Sequence, residues 1–133
     1  MRTEWHSEET YKGLIQLSQT GLKFGALVNG GASIALLALI GDVVGRGVSV
    51  PSLKVPMVLF IVGIALSGFA HVTAYVTQLR LYNESALGAK ESGLGHHVIW
   101  LWISLFLVVC SIVLFMIGAY CGTTILTGIQ SDA

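Results

Sequence analysis

Charge is scarce in this chain. Seven basic and seven acidic residues make up 11% of the 133 positions and cancel one another. A chain so balanced has no basic surface for a nucleic acid. Cysteine is scarce as well. Cys110 and Cys121 both lie in one apolar run, which excludes a secreted disulfide framework and suits small buried hydrophobes. Neither of the two prolines precedes Pro51, so no such breaker interrupts a helix before the first loop. Also missing are a Gly-rich phosphate loop with Lys, Cys-x-x-Cys, paired carboxylates and a helical His-Glu-x-x-His. No catalytic residue can be named, and a non-enzyme without cofactor or metal is expected. The opening stretch is polar, with Glu4, Glu8 and Glu9, and has no short apolar run ending in a cleavage site. The first apolar stretch is therefore expected to persist as an anchor.

What the chain has is apolar bulk. Its hydrophobic content is 54% and its mean hydropathy +0.79, outside the range of soluble globular proteins. Three runs reach the roughly 20 residues that a bilayer-crossing helix needs. The expected fold is all-α, a single integral membrane domain over 1–133 with three transmembrane helices. Residues 8–44 join an amphipathic extension to the first span, 53–82 form the second and 96–121 the third.

At the N-terminus Ser7 suits a helix cap, with Glu8 and Glu9 in the first turn. Tyr11, Leu14, Ile15, Ser18 and Leu22 then share one face, opposite Lys12, Gln16, Gln19 and Lys23. One continuous helix over 8–44 would be roughly 55 Å long against a hydrocarbon core of roughly 30 Å. The surplus would project into the cytosol, open to a protein partner. The alternative is a break near Gly21 or Gly25, with the first segment flat on the membrane.

Gly45, Gly47 and Pro51 mark the first loop, after which Ser52 is a candidate cap and Pro56 sits early in the second span. Residues 83–95 form the second loop, polar and Gly-rich. Trp100, Trp102 and Tyr120 bracket the third span as interfacial aromatics do. Residues 122–133 read as a frayed polar tail. Arg2, Lys12, Lys23, Arg80 and Lys90 fall on one side of the membrane, with Arg46 and Lys54 on the other. The positive-inside rule then puts the N-terminus in the cytoplasm and the C-terminus outside, in a cell inner membrane.

Counted inward from that side, Asn29, His71 and Ser104 fall at one depth on three different helices. On the second helix Gly63, Ser67, His71 and Tyr75 recur every fourth residue, as an inward stripe opposite Leu59, Phe60, Ile64, Leu66 and Val72. The candidate pore-lining or interhelical polar layer is therefore Asn29, Ser33, Ser67, His71 and Ser104. Candidate helix-packing residues are Gly30, Gly31, Gly63, Ser111 and Gly118, since small residues let membrane helices approach closely. Ser104, Ser111 and Gly118 recur every seventh residue, a spacing suited to left-handed packing. His71 is the one formally ionisable residue inside an apolar span. It reads as a proton or ion site, a pH switch or a haem ligand, or else as a neutral ring hydrogen-bonded within the bundle. Adjacent His96 and His97 point about 100° apart on a helix, which argues against a shared ion. They read as interfacial histidines.

The run LVNGGASIALLALIG at 27–41, preceded by YKGLIQLSQTGLKFGA, and the stretch Ala74-Tyr75-Val76-Thr77-Gln78 resemble a group of small, uncharacterised bacterial inner-membrane proteins. The resemblance covers about the first 85 residues and part of the third span. It implies a bacterial membrane location and no activity. The size and three-span plan are also similar to phage holins, without specific residues in support. Succinate dehydrogenase membrane anchors share the plan, although their His-bearing motifs are not recognisable here. Three functional readings stand. One is a homo-oligomer whose inward faces form a pore, as a holin-like or defence-type membrane effector. Another is a non-catalytic anchor or accessory subunit of a membrane complex, with haem or quinone near His71. The last is a small proton-coupled transporter.

Overall fold

The computed structural model describes residues 2–47, 52–86 and 96–131, with side chains described for 12–13, 15–47, 52–84 and 96–128. All of its elements are helices: α1 over Arg2–Gly45, α2 over Lys54–Ala86 and α3 over His97–Ser131. Each holds a stretch long and apolar enough to cross a membrane, Ile15–Gly45, Lys54–Glu84 and His97–Gly128. The chain is an all-α, multi-pass membrane protein with three candidate spans.

At 44 residues, α1 is about 66 Å long, roughly twice the hydrocarbon thickness. It runs unbroken through Gly21 and Gly25, so the hinged alternative does not hold. It also starts before Ser7, which lies inside the helix instead of capping it. The amphipathic face through Tyr11 and Leu14 lies outside the described side chains. At the far end Gly47 takes a φ of +71°, the left-handed conformation that ends many helices, and its N–H donates to Val44 O at 3.0 Å. Arg46 reaches back one turn to the Asp42 carboxylate at 2.9 Å. Both side chains are exposed, so the pair contributes at most about 1 kcal/mol.

Leu53, not Ser52, holds the capping position of α2: its carbonyl accepts the first helical bond, from Met57 N at 3.2 Å. Pro56 is then the third helical residue, where no N–H is required. The helix continues past Tyr82 to Ala86, since no glycine or proline lies between Tyr82 and Gly88. That extra turn carries Glu84 to the start of α3. There its Oε1 accepts the His97 backbone N–H at 3.1 Å, and its Oε2 lies 2.5 Å from His97 Nδ1. The expected frayed tail is instead helical as far as Ser131. Thr123, Thr124 and Thr127 donate their hydroxyls to carbonyls three or four residues back, so these polar side chains are satisfied within the helix.

The α2–α3 interface is the largest of the three and α1–α3 the smallest. Contacts from Asn29, Gly63 and Ser111 at one level to Leu36, Phe60 and Phe115 at the next set α1 and α3 parallel, with α2 antiparallel to both. On α2 the residues turned inward are Leu53, Pro56, Phe60, Gly63, Ser67, Ala70, Ala74 and Thr77. Their spacing alternates between three and four, the period of left-handed coiled packing. Phe60, expected to face lipid, is in fact a core residue. Its ring lies 6.0 Å from that of Phe115 and so close to Gly118 that a Cβ there would press into it. Leu36 and Leu53 complete this apolar end of the bundle. Alongside it, between α1 and α3, runs an open groove lined mainly by apolar side chains, among them Leu27, Leu39 and Leu126.

Candidate functional site

Three polar residues of the spans come together at one level, Asn29 of α1, Ser67 of α2 and Ser111 of α3. All three are essentially inaccessible, at 0%, 1% and 0% exposure. Asn29 Nδ2 donates to Gly25 O in its own helix at 2.9 Å. Across to α3 it donates to Ser111 O at 3.2 Å and Ser111 Oγ at 3.1 Å. Two of these acceptors are carbonyls, which cannot donate, so the amide orientation is determined: the reversed amide would set oxygen against oxygen.

Ser111 Oγ is the hub. A hydroxyl has one proton and two lone pairs. The Ser111 proton goes to Gly63 O at 2.8 Å. Its lone pairs accept from Asn29 Nδ2 and, at 2.9 Å, from the Ser67 hydroxyl, whose direction is thereby set. Three helices thus meet at one oxygen whose capacity is filled. Among the buried side-chain polar atoms of the described residues, Asn29 Oδ1 alone lacks a hydrogen-bond partner. It faces Gly63, where a Cβ would run into the Asn29 amide. Glycine at 63 leaves room for that oxygen. Gly25, which stands out in the sequence as a possible helix break and not as a packing residue, plays the corresponding part on α1: a Cβ there would come within 2.8 Å of Ser67 Oγ and 3.1 Å of Ser111 Oγ. The available signal was its position one turn before Asn29, on the same face.

The other expected members are placed differently. Ser33 is buried but donates to Asn29 O in its own helix at 2.9 Å. Ser104 lies two turns from Ser111 and donates to Ala70 O at 3.1 Å, a separate α2–α3 tie. Gly30 and Gly31 have nothing within 4 Å of an added Cβ and do not mediate the close approach. Asn29, His71 and Ser104 do not share a level: Ser104 is tied to Ala70, next to His71, two turns from the level of Asn29 and Ser111, and His71 does not face into the bundle. It lies on the exposed outer side of α2, with its Nδ1–H donating to Ser67 O at 2.8 Å. Tyr75 is 68% exposed on the same side. The reason is geometric. Residues four apart advance 400° around a helix, so a strict every-fourth stripe drifts by about 40° per step. Gly63 and Ser67 start in the seam, and His71 and Tyr75 have rotated out of it. Ala70, Ala74 and Thr77 replace them.

No family model, curated protein or solved structure matches the chain.

The buried cluster therefore acts as an interhelical clasp, closed to water and to ligands by its own packing. Removal of its hub is expected to have a bounded cost. In Ser111→Ala the Ser67 hydroxyl can turn to Gly63 O, the carbonyl one turn back in its own helix. The loss should be about 1–2 kcal/mol, in the range of interhelical hydrogen bonds measured in membranes. Unfolding of the reconstituted protein in mixed micelles, followed by circular dichroism, reads it directly. A loss well above that range would mean that Ser67 does not turn.

Proposed function

We propose that the chain works as a homo-oligomeric, non-enzymatic three-span protein of a bacterial inner membrane. In this reading copies meet along the outer face of α2 and border a permeation path there. The observation that carries it is the placement of His71. An imidazole within an apolar span is costly against lipid and normally faces protein or a water-filled path. Within one chain the bundle interior is already filled by the clasp, and His71 points away from it. A second copy would supply the cover. Gly68 and Tyr75 flank His71 on the same exposed face, and Gly68 has open space around it, which suits close helix approach. Asn29, Ser67 and Ser111 drop out as lining residues, since each chain consumes them internally. Arg2, Lys12 and Lys23 of α1, Arg80 near the end of α2 and Lys90 after it outnumber Arg46 and Lys54, which favours a cytoplasmic N-terminus. The part of α1 before Ile15 would then project into the cytosol as a docking segment.

Haem binding as an accessory subunit is the second reading, and it rests on the same ring. Its Nδ1–H is committed to a backbone carbonyl, which sets the tautomer and leaves Nε2 with the lone pair, as in metal-ligating histidines. One preparation separates the two. A colourless symmetric oligomer in nanodiscs, with ion flux in liposomes that changes on His71→Phe, is expected for the path. A Soret band lost on His71→Ala would move the assignment to haem. A colourless monomer, or flux indifferent to His71, would sink the first reading.

A further inference from the structure

Away from the clasp, Glu84 at the end of α2 meets His96 and His97 at the start of α3. One ring nitrogen from each histidine and a carboxylate oxygen all lie within 4.8 Å of one another, and all three residues are half-buried. The two rings stack, with centroids 4.6 Å apart and planes 24° from parallel. His96 precedes the first helical residue, so the 100° divergence expected for neighbours on a helix does not apply to it. Glu84 brings the third donor from another helix, thirteen residues back along the chain.

We propose that Glu84, His96 and His97 form a binding site for a zinc-class divalent ion, with water as the fourth ligand. Two imidazoles and a carboxylate are a donor set that zinc accepts, in tetrahedral geometry with bonds of about 2.0–2.2 Å. Such bonds put neighbouring donors about 3.3 Å apart. The donors here need to move by an ångström or so, within the reach of side-chain rotation. Glu84 Oε2 and His97 Nδ1 would separate as the ion takes the place of the proton between them, and a neutral His97 ring would carry its hydrogen on Nε2. Glu84 Oε1 would go on accepting the His97 backbone N–H, so the helix start need not be rebuilt. His96 would give up only the long bond that its Nδ1 accepts from Val98 N, at 3.3 Å. The ion would then staple α2 to α3 at one end of the hairpin. Being remote from His71, this site stands or falls independently of the permeation path.

The test uses the full chain without a polyhistidine tag, in detergent micelles, stripped with a chelator and titrated with zinc against a chromophoric competitor. One ion per chain is expected, and cobalt in its place should give the visible bands of a tetrahedral site. His96→Ala should weaken binding by at least about tenfold. It leaves the Glu84–His97 contacts intact, so helicity should be unchanged. Glu84→Gln should weaken binding similarly while keeping an acceptor for the His97 N–H. His6→Ala and His71→Ala should have no effect. Substoichiometric binding by the parent chain, binding that survives both His96→Ala and Glu84→Gln, or binding that disappears with His6 or His71 would each overturn the proposal.

Discussion

Gly63→Ala is expected to destabilise the bundle by about 1–3 kcal/mol net, after the gain of about 1 kcal/mol that alanine brings as the better helix former. The three atoms nearest to an added Cβ all belong to the Asn29 amide, and all lie closer than real Cβ atoms approach anything. A flexible neighbour would step aside. This one is tethered by both of its N–H protons, one to Gly25 O and the other shared between Ser111 O and Ser111 Oγ, so it can yield only by giving these up. Overpacking alone costs about 1–3 kcal/mol. The interhelical bonds lost with it add about 0.6 kcal/mol each.

The diagnostic measurement is a double-mutant cycle. Asn29→Ala alone should also destabilise, by breaking the clasp. Combined with Gly63→Ala it should cost less than the sum, because the new methyl enters the space that the amide vacated. Gly30→Ala is the control. Nothing lies within 4 Å of a Cβ at that position, so the helix-propensity gain should survive there. Additive effects at 29 and 63, or a harmless Gly63→Ala, would contradict the close contact between them.

Much of this architecture is legible in the residues. Three apolar runs with few charges give three spans, because a lipid-facing helix leaves little freedom in composition. The helix ends were harder to read. Glu84 falls in the loop expected over 83–95, yet it lies inside α2, where its carboxylate accepts the His97 backbone N–H. No local pattern reveals a partner thirteen residues further along the chain. Thr123, Thr124 and Thr127 look like a polar tail, yet their hydroxyls bond back along the helix and do not end it. The polar layer was half legible. Asn29 and Ser67 stand out as polar groups in apolar runs, and Ser111 as one point of a seven-residue repeat. His71 drew attention by its chemistry. An alternating three–four count along α2 separates it from Ser67 by angle, whereas a count of depth alone cannot.

The other large effect should come from Asn29→Asp, a substitution that changes almost no volume. Cavity and overpacking contributions therefore vanish, and what remains is hydrogen-bond chemistry. The amide nitrogen now sits among Gly25 O, Ser111 O and Ser111 Oγ. A carboxylate would set an oxygen against two carbonyls that have no proton to offer. Ser111 could answer only by turning its own proton away from Gly63 O. The second carboxylate oxygen would face Gly63, where even the amide oxygen of the parent chain finds no donor. A charge left there without a partner would be prohibitive, and protonating the acid instead, which frees one O–H to donate to a carbonyl, costs about 4 kcal/mol at pH 7 against a reference pKa of about 3.9. That is several times the worth of one interhelical hydrogen bond, so Asn29→Asp should fold poorly and should be the most damaging single change at this level. Asn29→Leu keeps a similar volume and brings no charge, and leaves Ser67, Ser111 and Gly63 able to satisfy one another. It should be much milder. If Asp and Leu at position 29 prove equally tolerated in micelle unfolding, water reaches the cluster. The dry clasp would then have to be redrawn as part of an aqueous path.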